Sequence, residues 1–453
     1  MTRRQTLGTI GTVGVTSLAG CLGGNPSSDT DSSNDGGGPE SVDIGVLQPI
    51  SGDLKYYGEQ ALWGFYTGLA YKGNTDPIES ATTGTHSIDV GSTTYNLHVR
   101  DTKFESDTAQ SVATQLVQNE DVDVLFGCTS SSSATQVIKT VATQVSIPVL
   151  IGPAASASIT ASKETCLNNV FRASENTAMD ARSGGQYVAN NTDVDAVYLF
   201  GADYSFGHAV VENYRTVLEA EGVEIVGEKF VPQGYAEWKG LLDNAAQAGA
   251  EGIVGGFTVS TLPKLFTAFL NGGYDYRVFG GFATQITNQV VGSTLEKSLD
   301  SLTESSVKET QLGPFTTRYH WNQYDNEINS TFVETYTSTY GVVPDLFTAG
   351  TFTVASAIVQ AVEERTGTDP DALVDALGGM TVADTPKGPD GYTFQEYNNQ
   401  ARSEMTVAHP VVTAESIADS WDAPIQPSEP VARIGAENVT IPSDADAMDC
   451  TLK

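Results

Sequence analysis

The stretch VLFGCTSSSSATQVIKTVATQVSIPVLIG, residues 124 to 152, contains in one piece the unit from which the fold is built. It begins as a short apolar strand, passes through a glycine and a run of hydroxyl residues at 129 to 133, and ends in a second apolar strand. Between the strands, five apolar residues recur at the spacing of one helical face, namely Ala134, Val137, Ile138, Val141 and Ala142. The stretch predicts a strand, a serine-rich turn, a helix and a second strand.

The same alternation of short strands and amphipathic helices runs along residues 42 to 172 and again along 174 to 290. Alternating strands and helices predict a doubly wound α/β architecture, with a parallel sheet covered by helices on both faces. Each of the two spans has the size of a single domain, so we expect two similar α/β lobes. The alternative is one large α/β domain of the kind found in enzymes.

Several strands end in small, hydroxyl-bearing or aromatic residues. Ligands of parallel sheets bind beyond the carboxyl ends of the strands, where helix N-termini present unpaired N–H groups. A serine run alone predicts only helix capping, but four strand ends carry such residues, in FGCTSSSS, IGPAASAS, LFGADYSFG and VGGFTVS. We therefore predict that these strand ends line a common ligand-binding cleft.

The motifs that carry catalysis are missing. The sequence has no G-x-S-x-G elbow, no phosphate-binding loop and no H-E-x-x-H, and its five histidines share no metal-ligand spacing. The hydroxyl residues have no evident general base. The sequence therefore predicts a binding protein without metal or cofactor, and an extracellular α/β enzyme is the weaker alternative.

The charge of the chain limits its partners. The 56 acidic residues exceed the 23 lysines and arginines, which gives a formal net charge of -33. Such a charge repels nucleic acid and anionic lipid surfaces, so neither is an expected partner. The acids are spread along the chain and lysine is sparse, a composition that resembles proteins of salt-loving archaea.

The N-terminus, MTRRQTLGTIGTVGVTSLAGC, resembles a twin-arginine export signal that ends in a lipobox. Its apolar part is too short to span a bilayer. Residues 1 to 21 are thus the predicted signal, Cys21 the predicted site of lipid attachment, and residues 22 to 41 a flexible tether. We expect a protein at the extracellular face of the cell membrane, held there by its lipid alone.

Three further cysteines, Cys128, Cys166 and Cys450, show no metal-binding spacing. Outside the cell one disulfide is expected among them, for instance Cys166 with Cys450. One cysteine must then stay free, and the sequence does not choose which.

Seven stretches carry a family resemblance between residues 42 and 415, and they stand in the family's order. They are PISGDLKYYGEQALWGF, FGCTSSSSATQ, IPVLIGPAASASIT, VFRASENTAMDAR, YLFGADYSFGHAVVENYRTVLEAEGVEIVGE, KGLLDNAAQAGAEGIVGGF and VPDLFTAGTFTVASAIVQAVEERTG. Together they resemble the leucine/isoleucine/valine-binding family, which has the type I periplasmic-binding-protein fold of ABC importers.

The resemblance implies two Rossmann-like lobes with parallel sheets, joined by a hinge of three crossovers. The predicted division places residues 42–173 and 318–388 in lobe 1, residues 174–317 and 389–425 in lobe 2, and residues 426–453 in a C-terminal extension. It implies a protein that captures a small polar ligand between its lobes and delivers it to an ABC permease and its ATPases. A ligand-sensing receptor subunit of the same fold is the alternative.

The resemblance also implies which residues contact the ligand. Ser130 and Ser131 would hold a ligand oxygen, with Ala155 and Ser156 adding a backbone group and a hydroxyl. Tyr57 would close over one end. The second lobe would contribute Tyr204 or, less favoured, Phe206, together with Phe257 and Thr284.

One departure from the family concerns the ligand's amine. Amino-acid binders of the family place a glutamate after the strand that here reads YRVFGGFATQIT, and this stretch contains no acid. Either Glu175 or Asp203 substitutes, or the ligand lacks an amine. The ligand classes left open are a branched-chain amino acid, an amide or urea, and a small carboxylate.

Overall fold

A computed structural model describes residues 38–281 and 284–452. The predicted signal, Cys21 and nearly all of the predicted tether lie outside the described residues. None of the helices in these two ranges is both long enough and apolar enough to cross a lipid bilayer.

The first part of the chain forms a six-stranded sheet. Its elements are β1 (Ser41–Gln48), α1 (Lys55–Gly73), β2 (Gly84–Val90), β3 (Thr93–Asp101), α2 (Ser106–Asn119), β4 (Val124–Gly127), α3 (Ser131–Thr140), β5 (Val149–Ile151), α4 (Ser158–Ala161) and β6 (Val170–Arg172). The strand order is β2-β3-β1-β4-β5-β6, and every pair is parallel except β2 with β3. The predicted unit of strand, helix and strand is thus present as β4, α3 and β5.

The middle of the chain builds a second sheet. Its elements are α5 (Thr177–Asp180), α6 (Gln186–Asn191), β7 (Ala196–Ala202), α7 (Ser205–Ala220), β8 (Glu224–Val231), α8 (Trp238–Gln247), β9 (Gly252–Gly256), α9 (Leu262–Gly272), β10 (Arg277–Gly281), α10 (Gln285–Ser298), α11 (Glu304–Glu309) and β11 (Leu312–Thr317). Strands β7 to β11 pair in parallel in the order β11-β10-β9-β7-β8.

The last part of the chain contributes to both sheets. Its elements are α12 (Glu327–Tyr340), α13 (Thr348–Arg365), α14 (Pro370–Leu377), β12 (Thr381–Val382), β13 (Tyr392–Phe394), β14 (Ala401–Arg402), β15 (Met405–Ala408), β16 (Pro410–Val412), α15 (Ala418–Trp421), β17 (Ile425–Pro427), β18 (Ala432–Ile434) and α16 (Ala436–Val439). Helix α13 packs on α1 beside the first sheet, whereas β15 and β18 extend the second sheet antiparallel to β11 and β15 respectively.

Helices cover both faces of each sheet, because the buried strands are apolar on both sides. One face of the first sheet packs with α1, α13 and α14, and the other with α2 and α3. The second sheet is likewise enclosed between α8, α9 and α10 on one face and α7 on the other. This arrangement confirms the predicted class of two α/β lobes with mainly parallel sheets.

The chain passes between the lobes after β6, after β11 and between β14 and β15. Strands β13 and β14 pair beside β12, and Tyr392 and Phe394 are buried in the core of the first lobe. Residues 392–402 therefore lie with lobe 1, where the sequence had placed them in lobe 2. The local sequence does not assign these residues to a lobe, because the partner of such short strands is decided by long-range packing.

Of the three cysteines among the described residues, Cys166 and Cys450 form a disulfide and Cys128 is a buried free thiol. Residues 432–452, which we call the C-terminal segment, contact both lobes. The segment begins as β18 in the second sheet, and its other end is linked to the first lobe by Cys450 and by a hydrogen bond from Asp449 N–H to Ala161. It thus bridges the two lobes alongside the three hinge crossovers.

Candidate ligand-binding cleft

A cleft lies between the two lobes, at the carboxyl ends of the parallel strands. From the first lobe it is lined by residues that follow β4 and β5 and by the start of α1, and from the second by residues that follow β7 and β9. Such an edge collects helix N-termini and unpaired backbone groups, which is why ligands bind there.

Six of the predicted ligand-binding residues line this cleft, namely Tyr57, Ser131, Ala155, Tyr204, Phe257 and Thr284. The less favoured Phe206 also lines it. The structure does not place Ser130 and Ser156 on the cleft wall. Ser130 is the N-cap of α3, with its Oγ accepting from Ser133 N–H at 3.4 Å, and the buried Ser156 shares a hydrogen bond of 2.8 Å with Ser158.

Two hydrogen-bond donors of the first lobe have no acceptor among the described residues. Ser131 Oγ accepts a hydrogen bond of 3.1 Å from Ser156 N–H, which leaves its own hydroxyl hydrogen unused. The N–H of Ala155 likewise donates to no described group. The neighbouring Thr129 is engaged, since its hydroxyl donates to Gln48 at 2.6 Å. Ser131 and Ala155 can therefore hold an acceptor atom of a ligand together.

The opposite wall is largely apolar and aromatic. Phe257 is fixed by an edge-on contact with Trp238 at 5.2 Å between ring centroids, and Tyr204 and Phe206 line the same cleft with their ring centroids 6.1 Å apart. Across the cleft, Tyr57 packs edge-on against Phe347 at 5.4 Å. Rings held in this way offer an apolar ligand body large contact area at little cost in side-chain entropy.

The two lobes touch each other beside the cleft. Ser132 Oγ lies 3.1 Å from Ser205 Oγ, and the carboxylate of Asp345 accepts a hydrogen bond of 2.9 Å from Gln285 N–H at the start of α10. Asp345 also accepts a hydrogen bond from the hydroxyl of Tyr56, which lies on the same lobe. The contacts of Ser132 with Ser205 and of Asp345 with Gln285 hold the lobes in a closed arrangement.

The hinge side of the cleft carries a charged pair that the sequence did not reveal. Asp180 and Arg318 both line the cleft, and the carboxylate accepts hydrogen bonds from Arg318 Nε at 3.0 Å and Nη2 at 2.6 Å. Asp180 follows the first crossover and Arg318 follows β11. No local motif signals the pair, because the partners stand far apart in the sequence.

Neither acid that the sequence offered for an amine lines the cleft. Glu175 is buried, lies 2.7 Å from Lys387, and accepts hydrogen bonds from Tyr392 and Ser403. Burial alone would raise the pKa of Glu175, but Lys387, the hydrogen bond from Tyr392 and the charge of Arg318 together outweigh burial, and the pKa is lowered. Asp203 is largely exposed and pairs with His208 at 2.9 Å. Within the described ranges, no group of three or more potential metal ligands converges either.

Comparison with known proteins gives a family and a fold. A family model described as periplasmic binding protein matches residues 41–414. No curated protein sequence matches the chain.

Solved structures of similar fold include proteins of bacterial ABC transport systems. An ABC-type branched-chain amino acid transporter from Rhodopseudomonas palustris CGA009 is 22% identical, with a TM-score of 0.65 over 88% of this chain and 98% of that one. A solute-binding protein from Rhodopseudomonas palustris BisB5, in complex with 3,4-dihydroxybenzoic acid, is 17% identical, with a TM-score of 0.69 over 88% and 98% of the chains. An amino acid ABC transporter substrate-binding protein from Pseudomonas fluorescens Pf-5 is 20% identical, with a TM-score of 0.69 over 92% and 100%.

Proposed function

The chain belongs to the periplasmic binding protein family, and from this premise we propose that it is the solute-binding protein of an ABC importer. In this role it captures a small molecule between its lobes and delivers it to the permease. Binding itself is the activity, since contacts made by both lobes favour the closed state over the open one.

The observation that carries the proposal is that the two walls of the cleft offer a ligand different kinds of contact. The first lobe supplies two unused donors, Ser131 and Ala155, and the second lobe supplies the rings of Tyr204 and Phe257. A ligand needs both lobes to satisfy its polar and its apolar parts. Lobe closure and ligand binding are therefore coupled.

The apolar walls favour a ligand with an apolar body over urea itself. A branched-chain amino acid, an amide and a small organic carboxylate all fit this description. The structural neighbours include systems for amino acids and one that holds a dihydroxybenzoic acid, which supports this range of classes.

We also propose that the protein works at the extracellular face of the membrane. Arg3 and Arg4 precede a weakly apolar stretch and the lipobox that ends at Cys21, which supports export by the twin-arginine route followed by lipid attachment. A lipid anchor would keep the binding protein close to its permease. Mass spectrometry of the mature N-terminus tests this, and a free, unprocessed Met1 in the membrane fraction would contradict it.

The function is tested by a thermal-shift screen of the purified protein, in high salt, against amino acids, amides, urea and small carboxylates. A ligand that binds only the folded state raises the melting temperature. Ser131→Ala and Tyr204→Ala should remove the shift, whereas Tyr187→Ala, at a half-buried tyrosine on α6 that does not line the cleft, should retain it. Binding that survives both cleft variants would overturn the proposed site.

Delivery requires a separate measurement. Uptake of the ligand found in the screen should be lost in cells that lack this protein and restored by the wild-type gene but not by the Tyr204→Ala gene. Normal uptake in the absence of the protein would favour a sensory role.

A further inference from the structure

Arg172, the last residue of β6, is fully buried behind the loop that contributes Ala155 to the cleft. Its Nη1 donates to the carbonyl oxygens of Ala154 at 3.2 Å and Ser156 at 2.6 Å. Nη2 donates to Thr160 at 2.8 Å and Nε to the side-chain carbonyl of Gln400 at 2.6 Å. The guanidinium thus holds the loop on both sides of Ala155. The four groups that accept its hydrogen bonds are all neutral.

The charge of Arg172 has no counter-ion within residues 38–281 and 284–452. Among the described residues, no carboxylate forms an ion pair with it, and the charged group that perturbs it is another cation, Arg318. Burial, together with Arg318, lowers the pKa of Arg172 to about 9, so the guanidinium still carries its charge at neutral pH. A buried charge without an ion-pair partner lowers the stability of the folded protein. The place where such a charge lies therefore points to a role in function.

The other two buried cations near the hinge form ion pairs. Arg318 is paired with Asp180, and Lys387 with Glu175. Among the described residues of this region, Arg172 is the buried cation that has no carboxylate partner.

The peptide bond between Ala154 and Ala155 connects this charge with the cleft. Its carbonyl oxygen accepts the hydrogen bond from Arg172, and its N–H is the donor that has no described acceptor. The peptide is trans, so the N–H points away from the carbonyl and hence away from Arg172. Hydrogen bonds in series polarise one another. A cation on the carbonyl side therefore makes the N–H a stronger donor to an anion.

We propose that Arg172 selects an anionic ligand, a carboxylate, whose oxygen is bound by Ala155 N–H and the Ser131 hydroxyl and whose charge balances the buried guanidinium. This inference rests on the proposed function and narrows its ligand class. Arg172 does not touch the ligand, so it is a positioning residue. A neutral amide or urea would not balance the charge of Arg172. An amino acid would bind through its carboxylate alone.

A purely structural role of Arg172 makes a different prediction. If the side chain only fixed the loop, its removal would weaken a carboxylate and its isosteric amide by the same factor. Selection by charge changes the ratio of the two dissociation constants instead. The matched pairs benzoate and benzamide, and isovalerate and isovaleramide, measure that ratio for an aromatic and a branched aliphatic body.

In isothermal titration of the wild-type protein in high salt, the carboxylates should have dissociation constants at least about tenfold lower than those of their amides. In Arg172→Gln the ratio should fall to near one, and Arg172→Lys should keep part of it. Arg215→Gln removes a positive charge from the surface of α7, where Arg215 pairs with Glu228 at 2.7 Å, and should leave the ratio unchanged.

A wild-type protein that binds the amides as tightly as the carboxylates would overturn the inference, and so would an unchanged ratio in a folded Arg172→Gln protein. If Arg172→Gln fails to fold, the wild-type ratio and Arg172→Lys decide. Failure of the proposed function looks different, since then no compound of either charge binds in the cleft.

Discussion

The phenol oxygen of Tyr57, on the first lobe, accepts a hydrogen bond of 2.9 Å from the backbone N–H of Val259, on the second lobe. Tyr57 also lines the cleft and packs on Phe347. One side chain is therefore both part of the ligand's surroundings and a contact that exists only when the lobes are closed. Ligand affinity should depend on it even where the ligand does not bond to the phenol.

Tyr57→Phe keeps the ring and removes this cross-cleft hydrogen bond. A typical net contribution of about 0.5 to 1.5 kcal/mol predicts a dissociation constant raised by about two- to twelvefold, with little change in the melting temperature of the unliganded protein. Calorimetric titration with a ligand from the screen measures the change. Tyr66→Phe is a matched control, because the buried hydroxyl of Tyr66 has no hydrogen-bond partner in the part of the chain that the structure describes. Equal effects of the two variants would contradict the role of Tyr57.

Asp345 makes part of the stability depend on pH. Burial raises its pKa from 3.8 to about 6, against the opposing hydrogen bonds from Tyr56, Gln285 N–H and Phe347 N–H. A raised pKa means that the folded state holds the proton more tightly than the unfolded chain. This contribution is therefore complete below about pH 4 and lost as the pH rises through about 6, a loss of roughly 3 kcal/mol.

Asp345→Asn removes that titration. The free energy of unfolding of the wild type minus that of the variant should fall between about pH 4 and about pH 7. Denaturant unfolding at several pH values and constant salt measures the difference. A difference independent of pH would show that Asp345 titrates normally in the folded protein.

Glu175 and Lys387 form a buried ion pair of 2.7 Å near the hinge, and their side chains are 2% and 1% exposed. Lys387→Met leaves the carboxylate buried without a cation and should lower the free energy of unfolding by about 3 to 5 kcal/mol. Combining it with Glu175→Gln should recover most of this loss, because no unpaired charge remains. Chemical denaturation of the two single variants and the double variant measures the coupling, and strictly additive losses would refute it.

The disulfide should stabilise the folded protein by limiting the unfolded chain. Cys166→Ser and Cys450→Ser should each lower the free energy of unfolding by about 2 to 5 kcal/mol, and the double variant should lose no more than either single one. Cys128→Ala is the control, since its thiol is free. Reductant should destabilise the wild type and the Cys128→Ala protein but leave the Cys166→Ser protein unchanged.

The sequence predicted those parts of the molecule that are encoded locally. The unit from β4 to β5 follows from the spacing of Ala134, Val137 and Ile138, and the turn at Ser131 follows from the strand that precedes it. What the sequence did not predict depends on contacts across long separations. Asp180 and Arg318 meet because two crossovers run side by side at the hinge.

Ser130 and Ser156 were predicted to contact the ligand but do not line the cleft. They show that the local sequence also leaves the direction of neighbouring side chains undecided. Ser130 and Ser131 are neighbours of one type, but helix geometry makes Ser130 the cap and turns Ser131 towards the cleft. Ser156 likewise lies next to Ala155, yet its hydroxyl bonds with Ser158. A serine run predicts that hydroxyls are needed at the turn, and only the backbone path decides which one meets a ligand.

The disulfide links residues 284 positions apart, and the loop that it closes contains the whole of the second sheet. A protein outside the cell is exposed to proteases, and a single cut in a surface loop separates an ordinary chain into two pieces. Here, a cut between Cys166 and Cys450 leaves both pieces covalently joined. The nicked protein remains one molecule with both walls of its cleft, and separating the pieces takes reduction as well as cleavage.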